Sequence, residues 1–169
     1  MAVRPETSDD ADAVRAVHLA AFPTSAEADL VARVKSDRDS EISLVAEQCG
    51  EIVGHVMLSR MKVSAGGRIF RALGLAPVGV VPGSQGSGVG SELIRSALAV
   101  GEALGEELVF VLGEPEYYGR FGFSAQAAAP FASPYAGPYF MALWLRPEAF
   151  PAVAGTADYS PAFAALDEA

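Results

Sequence analysis

The chain reads as an α/β domain (α+β in arrangement), with a mixed, mostly antiparallel sheet, one central parallel strand pair and helices on both faces. Three observations predict it. The β-rich runs "EISLVAE" and "EIVGHVMLSR" are joined only by Gln48-Cys49-Gly50, which makes an antiparallel hairpin. Further on, an interrupted apolar strand, a helix of about four turns and the run "LVFVL" follow in order, and a strand, crossover helix and strand make a parallel unit. Hydrophobic residues are 51% and aromatic residues 9% of the 169, apolar enough for one core and too apolar for disorder.

Each element has its own signal. "AVRP" is a short opening strand. "TSDDADAVRAVHLAAF" offers Thr7 or Ser8 as a cap, acidic residues in the first turn, and Val14, Val17 and Ala21 at helical spacing. Pro23 and Thr24 separate it from a second helix, in which Glu27, Leu30, Val31 and Val34 recur at i, i+3, i+4 and i+7. After the hairpin, "AGG" at Ala65 to Gly67 turns the chain into "RIFRALGLAPVGVVP", a long strand whose Gly and Pro imply a bulge or bend. In "VGSELIRSALAVGEALG", Leu93, Ile94, Ala97, Leu98 and Leu104 share one face and Gly105 supplies the stop. "LVFVL" lacks alternation, as expected of a strand covered on both faces. Pro115 suits the first turn of a short helix, "PYFMALWL" is a late strand, and "TADYSPAF" is a possible edge strand. We expect one domain over residues 1–146, with 147–169 a C-terminal extension packed on it.

Composition narrows the partners. A net charge of −9 disfavours nucleic acid and anionic membrane, which need a basic face, and suits either a cationic amine or mere solubility. One cysteine, Cys49, excludes an internal disulfide, and with His18 and His55 it leaves too few soft ligands for structural zinc, so no metal is expected. The opening residues lack a signal peptide's apolar core and no apolar run reaches about 18 residues. The expected compartment is the cytoplasm.

The stretch "VVPGSQGSGVGSELI" raises the functional question, because a glycine-rich turn at a helix start commonly holds an anion. A triphosphate loop from Gly83 would need lysine where Val89 stands. A dinucleotide fingerprint through Gly86 and Gly88 would need a third glycine where Ser91 stands, although Glu106 and Glu107 fall near the distance of a ribose-binding acid. A third pattern fits: Val80, Pro82, Gln85, Gly88 and Gly90 match V-x-x-P-x-x-Q/R-x-x-G-x-G/A with one residue fewer between the valine and the proline. Amides unobstructed by Cβ at Gly86, Gly88 and Gly90, reinforced by the positive end of the next helix, suit a diphosphate. A turn that merely tightens a strand-to-helix connection is the other reading.

This segment resembles the pyrophosphate loop of the GNAT N-acetyltransferases. The opening "VRPETSDDADAVRAVHLAAF" and the late "YYGRFGF" are similar to the family's as well, and "LGLAPVGVVP" with "VFVLGEPEYYGRFGF" resembles its YhbS-like bacterial subgroup. The resemblance covers roughly residues 2 to 146. It implies the GNAT fold, in which the parallel strands splay apart around the pantetheine arm, and acetyl-CoA as co-substrate. Carried over by position, Val78, Gly79 and Val80 would offer main-chain groups to the arm, with the Val80 N–H at the thioester oxygen. Gln85, Gly86, Ser87, Gly88, Val89, Gly90 and Ser91 would cradle the diphosphate. Tyr118, five residues before Phe123, would donate a proton or hydrogen bond to the departing thiolate, with Tyr117 its packed neighbour.

The general base stays open between His55, Glu114 and none. His55 alternates with Val53 and Met57, opposite Ile52, Val56 and Leu58, and is either a satisfied core imidazole or a proton acceptor; Glu114 is otherwise a solvated loop carboxylate. "GEPEYY" lacks the asparagine that the family usually has after this strand, which puts one cofactor contact in doubt. Cys49, in a turn without a histidine partner, gives an acetyl-cysteine route little support. The expectation is direct acetyl transfer to a primary amine of a small molecule or protein, with a non-catalytic CoA-binding sensor or scaffold as the alternative. The acceptor is expected near Phe22, Pro23 and "FASPYAGPYF", in a monomer or homodimer.

Overall fold

The computed structural model describes residues 1–167; the last two residues of the expected extension lie outside them. Its elements are β1 (Ala2–Pro5), α1 (Ala11–Ala21), α2 (Ala26–Ser36), β2 (Ser40–Gln48), β3 (Glu51–Ala65), β4 (Arg68–Val80), α3 (Val89–Ala103), β5 (Leu108–Leu112), α4 (Pro115–Tyr118), α5 (Ala125–Ala128), β6 (Phe131–Ala132), β7 (Phe140–Trp144), β8 (Gly155–Asp158) and α6 (Ala164–Asp167). The strands make one sheet; along the path β1-β2-β3-β4-β5-β7 the pairing is antiparallel except for β4–β5, and β6 and β8, off this path, form a second parallel pair. Among the described residues no helix is long and apolar enough to cross a membrane.

Each face of the sheet has its own cover. On one side α3 brings Val89, Leu93, Ile94 and Ala97 against Leu44, Val56, Leu73, Leu75 and Val109. On the other, Val14 of α1 and Leu30, Val31 and Val34 of α2 pack on Val45 and Met57. A further cluster around Phe70, Phe110, Phe131 and Phe140 closes the end where β6 and β8 lie.

Two bulges set which side chains face which cover. In β4 the partner of Leu58 is Leu75 but that of Val56 is Val78, so β4 carries one extra residue around Ala76 and Pro77. The alternation is reset there, and Leu73, Leu75, Val78 and Val80 all pack with the α3 cluster. In β3 a second shift, between the partners of Ala46 and Glu47, breaks the expected alternation of Val53 with His55 and Met57. Val53 joins the α3 cluster, while Ile52 packs with the α1 and α2 cluster.

Two other expectations change. Leu104 is 53% exposed and off the buried face of α3, because the helix ends at Ala103 and the chain turns at Gly105. The strand in "TADYSPAF" is not an edge: β8 pairs antiparallel with β3 at Lys62 to Ala65 and parallel with β6. β6 and α5 gave no signal in sequence, being 2 and 4 residues long. Ala162 and Phe163 of the C-terminal segment are buried against the α2 cluster, and Ser160 hydrogen-bonds Asp39 at 2.6 Å.

Candidate active site

The parallel pair is short. Only Ala72, Leu73 and Gly74 pair with Leu108, Val109 and Phe110; beyond Gly74 the two strands part. On its other side β4 stays paired with β3 to Val80. The Val81 N–H donates to the Val53 carbonyl at 2.9 Å, which makes Gly54–Val80 a non-hydrogen-bonded pair. By antiparallel alternation, Val78 and Val80 turn their amides and carbonyls away from β3 into the gap, whereas those of Gly79 face His55. Gly79 therefore differs from its neighbours: what it presents to the α1 side is the lack of a side chain.

The glycine loop closes one end of this gap. After a 3-10 turn at Pro82–Ser84, Gly86 (φ 76°) and Gly88 (φ 90°) take left-handed conformations that favour glycine, and Gly88 is the N-cap of α3 without a side chain to cap it. The first amides of α3 thus have no intrahelical acceptor and no capping side chain. A Cβ added at Gly86 or Gly88 would meet nothing within 4 Å, so the space beside them is open. Two loop side chains are occupied within the loop: Gln85 Nε2 donates to the Val80 carbonyl at 2.9 Å, and Ser87 Oγ to the Ser84 carbonyl at 2.6 Å. A cavity of about 300 Å³ lies here, bounded by Val80, Gln85, Gly88, Ser91, Tyr117 and Arg120.

Arg120 was missed by the sequence reading. Its guanidinium lies 4.7 Å over the Tyr117 ring, with Nη2 3.3 Å from Ser91 Oγ, and it brings a positive charge to a cradle otherwise made of main chain. The available signal was a cation inside "YYGRFGF". Tyr117 is more than a packed neighbour, because it lines this cavity and its hydroxyl lies 3.1 Å from where a Gly90 Cβ would be. Tyr118 lies over Gly113 at the end of β5, edge-to-face with Phe123. Burial, with a smaller effect from Tyr117, pushes its phenol up to about 12.

The acid candidates for ribose binding are engaged elsewhere. Glu106 is buried and pairs with Arg60 at 2.7 and 2.8 Å and with Arg71 at 2.9 Å, and Glu107 pairs with Arg68. Glu114 is exposed at the start of α4, and Cys49 is exposed in the β2–β3 turn.

His55 is fully buried and linked on both sides. Its Nε2 lies 2.8 Å from Ser43 Oγ and 3.3 Å from Glu6 Oε2, and its Nδ1 lies 2.8 Å from Nε2 of His18. Glu6 also contacts Lys35 and Ser43. Burial lowers both imidazoles below the ordinary histidine value, His18 to about 3. His18, on the buried face of α1 and stacked on Phe22, gave no functional signal in sequence because its hydrogen-bond partner His55 lies on β3 and is itself joined to β2 and the segment after β1. On this side of the sheet a second cavity, of about 310 Å³, opens between Leu75 and Ala76 of β4 and Leu112 of β5, walled by Tyr135, Tyr159 and Phe163.

The splayed parallel pair beside a glycine-rich helix start defines an acyltransferase fold. Residues 2–125 match the family model described as an acetyltransferase (GNAT) domain, and the chain belongs to that family. Among curated proteins it is 41% identical over 118 residues to the uncharacterized N-acetyltransferase YjhQ of Escherichia coli K12, an alignment spanning 68% of this chain and 64% of that protein. It is 32% identical over 128 residues to the uncharacterized N-acetyltransferase YhbS of the same strain, covering 75% of each. The chain thus spans less than two-thirds of the length of YjhQ and three-quarters of that of YhbS. Its fold matches crystal structures of Escherichia coli YhbS with CoA (TM-score 0.87, 29% identity, 96% of this chain and 91% of that one) and of a Brucella melitensis GNAT acetyltransferase with acetyl-CoA (0.79, 32%, 96% and 97%).

Proposed function

We propose that the protein is an acetyl-CoA-dependent N-acetyltransferase that moves the acetyl group to a primary amine by direct transfer in a ternary complex. The observation that carries this reading is the juxtaposition of the open β4 edge with the cradle at the α3 N-terminus, in a family whose structural neighbours hold CoA and acetyl-CoA. The residues fit the cofactor. Uncapped amides at the start of α3, open space beside Gly86 and Gly88, and the Arg120 guanidinium suit a diphosphate, and the unpaired stretch of β4 suits an extended amide-bearing arm.

Bound acetyl-CoA supplies an activated acyl carbon; the chain supplies the rest. Val78 and Val80 fix the arm along β4, and the Val80 N–H stabilises negative charge developing on the thioester oxygen. Gln85 holds the Val80 carbonyl and so fixes the strand end relative to the loop. Tyr118, protonated throughout the neutral range, donates a hydrogen bond to the departing sulfur. With a phenol near 12 facing a thiolate of ordinary pKa near 8.5, the hydrogen bond is the stable state and complete proton transfer is uphill. The acceptor occupies the opposite side of the sheet, where Phe22, Tyr135 and the 310 Å³ cavity lie.

Thiol release from acetyl-CoA across a panel of primary amines tests the activity. Turnover with at least one amine is expected; CoA binding without turnover on any would favour the sensor or scaffold. Tyr118→Phe should lower kcat on the order of 100-fold while the CoA Kd, measured by calorimetry, stays within about twofold. An unchanged kcat would remove the hydrogen-bond role.

A further inference from the structure

The buried His18–His55 pair has no role in the reading above. Four elements assemble it: His18 comes from α1, His55 from β3, Ser43 from β2 and Glu6 from the segment after β1, with Lys35 of α2 on the far side of Glu6. Both histidines are 0% exposed.

Hydrogen-bond directions along this chain are fixed from one end. Glu6 lies below the usual carboxylate range, at about 2: burial works against ionisation, but hydrogen bonds from His55, Lys35 and Ser43 outweigh it. Glu6 accepts a hydrogen bond from the Ser43 hydroxyl, which leaves Ser43 Oγ and Glu6 Oε2 both facing His55 Nε2 as acceptors, so that Nε2 carries the proton. The Nδ1 of His55 then has a lone pair, and His18 Nε2, 2.8 Å away, is the donor to it. His18 Nδ1 is left bare. That atom is buried and has no hydrogen-bond partner, and it lies 2.7 Å from where a Cβ on Gly79 would be. The network thus delivers an oriented lone pair to the one residue between Val78 and Val80 that has no side chain.

We propose that His18 Nδ1 is the proton acceptor of acetyl transfer, with His55 and Glu6 as positioning residues that set its tautomer and oppose the charge it gains. This rests on the acetyltransferase reading above. In the step, a neutral amine nitrogen forms a bond to the acetyl carbon and the carbon–sulfur bond breaks, so that CoA leaves as its thiolate. The nitrogen's surplus proton goes to His18 Nδ1, and the positive charge is shared with His55 across their hydrogen bond, opposite the Glu6 carboxylate, which stays ionised. One proton leaves the amine and one is held by the histidine pair until it passes to the CoA thiolate. The proton becomes strongly acidic as the nitrogen lone pair delocalises into the new amide, so a weakly basic buried imidazole is sufficient. The groups facing His18 are His55, Glu6 and Lys35, with uncharged Gly79 of β4 and uncharged Phe22 at the end of α1.

The chain has two histidines, so ring-15N spectra of the full-length protein report both directly. At pH 7.5 both rings should be neutral with the proton on Nε2, and saturating CoA should shift the His18 Nδ1 signal more than any other ring nitrogen. Glu6→Gln should abolish the single-tautomer signal of His55. In acetyl transfer, His18→Gln should lower kcat on the order of 100-fold with the CoA Kd within about twofold, and Glu6→Gln should move the acidic limb of the kcat–pH profile. A proton on His18 Nδ1, a His18 signal unmoved by bound CoA, or unchanged turnover in His18→Gln overturns the proposal. Failure of the underlying reading looks different: the wild-type protein itself would turn over no amine, whether or not it binds CoA. The spectra decide the matter even if His18→Gln does not fold.

Discussion

A Cβ built on Gly79 would lie 2.7 Å from His18 Nδ1 and 3.3 Å from Phe22 Cε2, closer than packed side chains tolerate. Gly79→Ala is therefore expected to lower unfolding free energy by roughly 1–3 kcal/mol, read by urea denaturation, and to broaden or shift the His18 ring signals. Wild-type stability would mean that α1 can move off the sheet freely. The residue that the resemblance singled out for its main chain thus matters for its missing side chain, and His55, which the sequence left between a core imidazole and a proton acceptor, is joined to His18. Neither was legible in sequence, because the partners of His18 are 37 and more residues distant, or reached only through His55. Glu106 shows the converse: its spacing from the glycines falls near that of a ribose-binding acid, but the dinucleotide pattern fails at Ser91, and Arg60 and Arg71 hold Glu106 inside the fold.

At the scale of elements, the cradle is a junction between a strand that has lost its neighbour and a helix that has no cap. The motif made the helix start readable, since the glycines lie where φ is 76° and 90°. What it could not reveal is that Gln85 and Ser87 spend their side chains on the loop itself, and that Tyr117 and Arg120 join the main chain around the cavity. Gly88→Val puts a β-branched side chain into a left-handed position at the α3 N-cap. It should raise the CoA Kd by about tenfold or more, equivalent to about 1.4 kcal/mol, and lower stability by about 1–2 kcal/mol. Calorimetry and thermal denaturation check the two effects; an unaltered Kd would place the diphosphate elsewhere. The bulge at Ala76 and Pro77 was foreshadowed by the interrupted strand, but its effect on facing is a matter of register with β3.

For the whole molecule, the buried imidazoles tie stability to pH. Both are held below the ordinary histidine value, chiefly by burial, so between about pH 6.5 and the His18 value near 3 the unfolded chain binds more protons than the folded one. The stability they contribute is fully present above about pH 6.5 and is lost as pH falls, by up to about 1.4 kcal/mol per pH unit for each histidine. Glu6 adds a loss of the same sign, below its unfolded value and down to about 2. Urea denaturation at pH 8, 7, 6 and 5 should show a plateau followed by a decline, and His18→Gln should reduce the slope between pH 6 and 5. A flat profile in the wild type would mean that the imidazoles are charged or solvated in the fold.

The sequence by itself determined the order of the main strands and helices, the antiparallel hairpin, the central parallel pair and the family, because periodicity, turn residues and the glycine motif are local and depend on side-chain chemistry within a few positions. The tertiary structure decided where the parallel pair stops, which main-chain groups of β4 face the gap, that Arg120 joins the cradle, and that Glu6, Ser43, His55 and His18 form one chain ending at Gly79. These depend on register, on bulges and on contacts between residues far apart in sequence, and a one-residue shift in pairing reverses the face that every following side chain presents.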